Sequence, residues 1–266
     1  MLHIDVLSHL TYEISEPSSF HFLIAASETD RQTIVDEQLM TMPDSRLSVL
    51  REQPEGNRLH VGGLTPGRLD VRYSARVAIE PCQLARNPSS DLDFDALPAD
   101  VLAYLRPSRY CESDLLTGFA TKQFDRALPA SGRIDDVCEW VNTHLDYVPG
   151  VTDSSTTAID VLALAAGVCR DYAHLAIALC RALGIPARYV SAYAVDLEPP
   201  DFHGLFEAYV DGRWYLFDAT RMARLDQVVR IGAGRDAADV AFASFVGTAE
   251  LIDKQVSATV AELDEI

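Results

Sequence analysis

An α+β architecture follows from three features of the sequence. Residues 1–80 alternate in the manner of strands, the middle carries apolar residues at helical spacing, and two apolar runs are joined by Asp211-Gly212. Strands and helices segregated along a chain build a sheet with helices packed to one side, rather than a doubly wound fold.

The β-rich part is clearest over residues 68–79. Leu69, Val71, Tyr73, Ala75, Val77 and Ile79 alternate there with Arg68, Asp70, Arg72, Ser74 and Arg76. A period of two puts the first set on the buried face of an antiparallel strand and the second in water. Residues 20–26 and 37–42 read as further strands, with turns at 55–57 and 62–67. His3, His9, His21 and His60 fall singly and read as structural. Residues 81–100 are rich in Pro, Asp and Ser without a period. The chain therefore divides into a β-rich unit at 1–80, a connector and helix at 81–130, and a core at 131–266 that closes with one or more strands.

Within the core, Ile134, Val137, Cys138, Val141 and Leu145 share one face of a helix over 131–145. Cys138 belongs to that stripe, and His144 sits where a helix C-terminus favours an imidazolium. The run 156–167 opens with Thr157 three residues before Asp160, a capping box, and is expected to close on Gly167. The next helix begins at Val168 or Cys169 and runs to Leu183, with Gly184 and Pro186 ending it. Leu175 to Cys180 are apolar almost all the way round, so this helix is central and Cys180 is core.

Cys169 is different, because it lies in the first turn. Unpaired amides and the positive end of the helix dipole favour a thiolate there and can hold an oxyanion. His174 cannot be its base. Five positions along a helix means a rotation of roughly 140° and a rise of about 7.5 Å, so the two side chains diverge. A base must come from elsewhere, and residues 201–220 supply one. Asp211-Gly212 is a strong two-residue hairpin signal. Pairing Val210 with Arg213 sets Leu205 opposite Asp218 and His203 opposite Thr220, leaving His203 and Asp218 diagonal neighbours on one face. A carboxylate so placed holds an imidazole in one tautomer, completing a nucleophile, base and orienter.

Bulk properties exclude several function classes. A net charge of −18 over 266 residues repels nucleic acid and anionic membrane surfaces. The opening decapeptide lacks the features of a secretory leader and no apolar run spans a bilayer, so the expected location is the cytoplasm. Five cysteines without a CxxC pair argue against a disulfide framework and a zinc site, and neither metal nor cofactor is expected. Residues 231–237, IGAGRDA, fit G-x-G-x-x-A. Too little chain follows for a nucleotide-binding half, and the segment reads as a glycine-rich turn between elements.

The stretches 147–193 (YVPGVTDSSTTAIDVLALAAGVCRDYAHLAIALCRALGIPARYVSAY), 201–220 (DFHGLFEAYVDGRWYLFDAT) and 231–242 resemble the core of the transglutaminase-like superfamily, in its bacterial branch. The first half resembles that branch's N-terminal region. The resemblance implies a papain-like thiol site carried onto Cys169, His203 and Asp218, acting by acyl transfer from a peptide or protein amide through a thioester. A hydrolase of peptidase or amidase type is expected first; a protein cross-linking transglutaminase and a non-catalytic binding module are the alternatives. Leu205 departs from the family, where an aromatic is common, and this bears on the acyl pocket. A second oxyanion donor should lie upstream, with Gln123, Trp140 and Tyr147 all open. The acidic loop 194–202, with Asp196, Glu198 and Asp201, leads into His203 and is expected to face the site mouth, where it would favour cationic substrates.

Overall fold

The computed structural model describes residues 1–52, 54–80 and 94–261. Most of the expected connector, residues 81–93, lies outside them. The chain opens with six strands: β1 (Leu2–Ile14), β2 (Ser18–Phe22), β3 (Gln32–Met42), β4 (Ser48–Glu52), β5 (Asn57–Leu64) and β6 (Gly67–Ile79). The alternation expected over 68–79 is present in β6, where Leu69, Val71, Tyr73, Val77 and Ile79 are buried. Strand β2 ends at Phe22, so residues 23–26 of the expected strand are buried without strand pairing. Gly62 and Gly63, read as part of a turn, instead lie in β5.

Helices follow: α1 (Ser113–Gln123) and α2 (Ala130–His144), then the short strand β7 (Asp146–Tyr147), helix α3 (Ala158–Leu164), the short strand β8 (Ala166–Gly167) and α4 (Cys169–Ala182). Helix α3 has the expected capping box, the Thr157 hydroxyl facing the Asp160 amide and the Asp160 carboxylate accepting from the Thr157 amide. Its left-handed C-terminal residue is Ala165, at φ 54°, rather than Gly167. Gly167 is needed for space: a β-carbon there would stand 2.7 Å from that of Asp171.

The core sheet is formed by β9 (Ala187–Ala194), β10 (His203–Val210), β11 (Arg213–Phe217) and β12 (Val228–Gly234), in the order β11-β10-β9-β12. Helix α4 is buried from Asp171 to Arg181 and packs on α1, α2, α3, β9 and β10. The glycines of IGAG are in β12, not in a turn. A β-carbon on Gly232 would stand 2.9 Å from the Asn57 amide oxygen, and one on Gly234 2.5 Å from the Asp239 β-carbon. Strand β12 is an edge, and the N-terminal unit covers it with side-chain amides. Gln32 bonds both the Arg230 N–H and C=O, and Asn57 bonds both the Ala233 N–H and C=O. These primary amides stand in for the neighbouring strand that an edge lacks.

The last strands, β13 (Ala243–Val246) and β14 (Ala249–Val260), leave the core. β13 joins β2 in the sheet β13-β2-β5-β4, and β14 joins β1 in the sheet β14-β1-β6-β3. The end of the 131–266 segment thus completes the sheets that residues 1–80 begin.

Candidate active site

The position of Cys169 is set by the start of α4. Val168, the N-cap, has no side-chain oxygen, so Asp171 does the capping by reaching back to accept from the Val168 amide at 2.9 Å. The same carboxylate accepts from the Thr152 hydroxyl at 2.6 Å and from Arg170, and it is fully buried. Arg170 in turn donates to the Asp153 carbonyl. The turn that carries Cys169 is therefore tied to the 152–153 loop on two sides. Cys169 itself is half-buried, whereas Cys111, Cys138 and Cys180 are buried. Burial pushes the Cys111 and Cys180 thiols up to about 12, and Cys138 well above its ordinary value.

The hairpin has the expected register. Val210 pairs with Arg213 and Phe206 with Phe217. Asp211 and Gly212 both have positive φ, at 50° and 81°, the conformation of a two-residue turn that follows strand twist. His203 Nε2 lies 3.0 Å from Asp218 Oδ2. The Asp218 carboxylate also accepts from the Thr220 amide and hydroxyl and from the Ala223 amide, at 2.7–2.9 Å. Burial works to raise its pKa, but these donors and the imidazole outweigh burial and hold it below the usual carboxylate range. Cys169 and His203 line the same cleft, and with Asp218 on Nε2 the ring keeps Nδ1 available to the sulfur. Burial opposes a charged imidazole, yet Asp218 and Cys169 together raise the His203 pKa to about 9.

Cys169, Arg170 and His203 line a cleft of about 330 Å³. Its walls are aromatic: Tyr110, Tyr189, Phe202 and Phe242. Phe202 stacks on Phe242 at 5.2 Å, joining the loop before His203 to residues 237–242, which form the far wall. Leu205 is not in the cleft. It is fully buried on the sheet with Val190, Ala192 and Val228, so the departure at that position is a matter of core packing. A larger cleft of about 570 Å³, lined by residues that include Arg188, Glu207, Trp214 and Arg230, contains none of Cys169, His203 and Asp218.

Of the acidic loop's three carboxylate residues, Asp201 alone lines the Cys169 cleft, and Lys254 of β14 pairs with it at 2.6 Å. Asp196 and Glu198 border a separate small cavity against β14. The loop does not present three free carboxylates to the sulfur. His174 is fully buried, stacked on Tyr110 at 5.0 Å, and accepts from the Ala237 amide at 3.1 Å. Burial, helped by Arg170 and Arg181, drops its pKa to about 3, so it stays neutral. It holds the 237–242 wall in place, a role its helical position did not reveal.

The three upstream candidates separate. Gln123 is exposed at the end of α1. Trp140 stacks on His144 at 4.2 Å and packs edge-on to Phe119 and Phe124, within the helical layer. Tyr147 is the one beside Cys169. β7 and β8 pair in parallel with Tyr147 opposite Gly167, two positions before Cys169, and Cys169 helps burial to raise the Tyr147 phenol to about 12.

Residues 117–219, which hold this constellation, match the model of the transglutaminase-like superfamily, and residues 2–93 match the bacterial transglutaminase N-terminal domain. A crystal structure from Cytophaga hutchinsonii, provisionally described as a cysteine protease, superposes on the whole chain with a TM-score of 0.93. It is 36% identical, and 92% of its length is covered. The chain belongs to the transglutaminase-like superfamily. Uncharacterised proteins of Mycobacterium leprae and Mycobacterium bovis are each 30% identical to it, over 149 and 189 residues. The first match covers 52% of each chain, the second 63% of this chain and 57% of the relative. The chain spans about half the length of these curated relatives. The transglutaminase-like core and β-rich N-terminal unit expected from sequence are both present.

Proposed function

We propose that the protein is a thiol hydrolase that cleaves an amide through a thioester on Cys169. The observation that carries this reading is the relay from Asp218 through His203 to a thiol at a helix start. Asp218, fixed by four hydrogen bonds, holds Nε2 of His203 and leaves Nδ1 available to the thiol that shares the cleft. An imidazole whose pKa is raised to about 9 is protonated at neutral pH and stabilises a thiolate beside it.

In the first half-reaction the sulfur attacks the amide carbonyl, a C–S bond forms, and the carbonyl electron pair moves to oxygen. The Cys169 amide at the head of α4 stabilises that charge. Collapse breaks the C–N bond, and the amine leaves with the proton from His203. In the second, His203 takes a proton from water as the hydroxide attacks the thioester, and Cys169 leaves as thiolate. The Cytophaga hutchinsonii relative supports a cysteine-protease-like assignment.

The test is a panel of glutamine- and asparagine-bearing peptides, with and without an added primary amine. Release of ammonia or a peptide fragment at the same rate in both arms supports hydrolysis. Amine incorporation in place of hydrolysis would move the assignment to a transglutaminase. Full turnover by Cys169→Ala would remove the thiol from the mechanism altogether.

A further inference from the structure

We infer that the Cys169 cleft selects a tyrosine-type side chain: a neutral aromatic ring whose polar tip is held by the hydroxyls of Tyr189 and Ser191. The inference rests on the thiol-hydrolase reading above and names the kind of residue that adjoins the amide to be cleaved.

Strand β9 supplies the floor of the cleft. Tyr189 and Ser191 are two positions apart on it and so share one face, and both line the cleft with Cys169 and His203. Each is only 6% exposed. Among the described residues neither hydroxyl has a hydrogen-bond partner, and neither oxygen is sealed away from solvent. Gly204 shows where the Tyr189 hydroxyl lies. It stands 2.4 Å from the point a β-carbon on Gly204 would occupy, and the Arg170 amide nitrogen stands 3.1 Å from the same point. Gly204 and Arg170 also line the cleft, and they are the residues that follow His203 and Cys169. Ser191 is directly opposite Gly204 in the sheet, so the missing side chain there leaves both hydroxyls uncovered.

Buried polar groups are almost always hydrogen-bonded, and leaving one without a partner is costly. Two on one strand face, beside the thiol, are matched by a ligand rather than by the fold. Burial holds the Tyr189 phenol well above its ordinary pKa, so it keeps its proton and can donate.

The rest of the cleft defines that ligand. Arg170 is taken by Asp171 and the Asp153 carbonyl, and Asp201 by Lys254, so a charged tip meets only charges already paired. Tyr110, Phe202 and Phe242 form the walls, and the Tyr110 hydroxyl is spent on the Ser154 carbonyl at 2.8 Å. Such walls favour another ring, packed offset or edge-on. At about 330 Å³ the cleft is near the lower end of the roughly 300–1,000 Å³ of ligand pockets, which suits a single side chain. A phenol satisfies every part of this site, since its oxygen can donate to one hydroxyl while accepting from the other. A phenylalanine ring fills the same space but takes both hydroxyls from water and returns nothing.

Occupancy is read as protection of Cys169 from iodoacetamide, with N-acetyl-tyrosinamide and N-acetyl-phenylalaninamide as the two ligands. The tyrosine amide should protect at a concentration lower by about 10-fold or more, the effect of one or two neutral hydrogen bonds. Tyr189→Phe and Ser191→Ala should each draw the two protection curves together. Tyr189→Phe should also melt no lower than the wild type, because its hydroxyl has no partner in the fold. Equal protection by the two ligands in the wild type, or none by either, overturns the assignment. A difference that survives both substitutions does the same. Cleavage of N-acetyl-tyrosine p-nitrophenyl ester separates the two readings. Selective protection without cleavage leaves the phenol site standing and removes the hydrolase; cleavage with equal protection does the reverse.

Discussion

Gly204, the residue after His203, backs directly onto Arg170, the residue after Cys169. A β-carbon at Gly204 would come within 3.1 Å of the Arg170 amide nitrogen and would collide with the Tyr189 hydroxyl. The strand that carries His203 is thereby pressed against the helix that carries Cys169, with no room for a side chain between them. Gly204→Ala should force the two apart, costing about 1–3 kcal/mol of stability in a packed site. Acylation of Cys169 should fall even at temperatures where the variant is fully folded. A Gly204→Ala protein as stable and as reactive as the wild type would show that this contact does not set the geometry.

Asp218→Asn keeps the shape of the side chain but removes its charge and invites the wrong imidazole tautomer. Loss of the corresponding carboxylate in another triad costs about 10⁴ in kcat. A drop of two orders of magnitude or more is expected here, measured as steady-state hydrolysis of p-nitrophenyl acetate. Titration of the imidazole by NMR should show the His203 pKa falling from about 9, because Asp218 is one of the two groups that raise it.

The same pair predicts how stability responds to pH. The His203 pKa is raised above its ordinary 6.5, so its contribution is full below 6.5 and is lost as pH climbs through about 9. The Asp218 pKa is lowered from 3.8, so its contribution is present above 3.8 and is lost as pH falls below it. Denaturant unfolding should therefore show this site adding most between those limits, and His203→Gln should flatten the alkaline decline. Acyl transfer should fall away above pH 9 as well, because the leaving group needs the His203 proton. A pH–rate profile still rising at that point would contradict the assigned acid.

His174→Asn and Cys180→Ala test the two fully buried groups in α4 to which the proposed mechanism gives no chemical part. His174 accepts from the Ala237 amide, so its loss leaves a polar group unsatisfied at about 1–3 kcal/mol. Because Ala237 lines the cleft, KM for bulky esters should rise while the rate of Cys169 alkylation holds. Cys180 is fully enclosed in the core, and its replacement should lower stability alone.

Much of this site is local and was legible in the sequence. The Asp211-Gly212 turn sets the hairpin register, and that register alone makes His203 and Asp218 neighbours. The glycine before Val168 and the apolar run after it likewise placed Cys169 at a helix start. What escaped the reading is built by distant segments meeting. The cleft wall at 237–242 is held by His174, sixty-three positions away from Ala237, and Lys254 reaches Asp201 from a strand that belongs to the N-terminal sheet. β7 and β8 are two residues each, too short to show a period, so Tyr147 could not be ranked above Gln123 or Trp140. IGAG misled for a related reason: its glycines answer to Asn57 and Asp239 packed against the strand, and no turn is involved.

The central claim is that Cys169 is the one activated thiol among the described cysteines. It is tested most directly by a time course of iodoacetamide labelling at pH 7, read by peptide mass spectrometry in a Cys82→Ser background. A single adduct should accumulate on Cys169, with Cys111, Cys138 and Cys180 unlabelled until the protein is unfolded, and His203→Ala should slow it markedly. Labelling of Cys180 or Cys138 at the same rate in the folded protein, or an inert Cys169, would contradict the account.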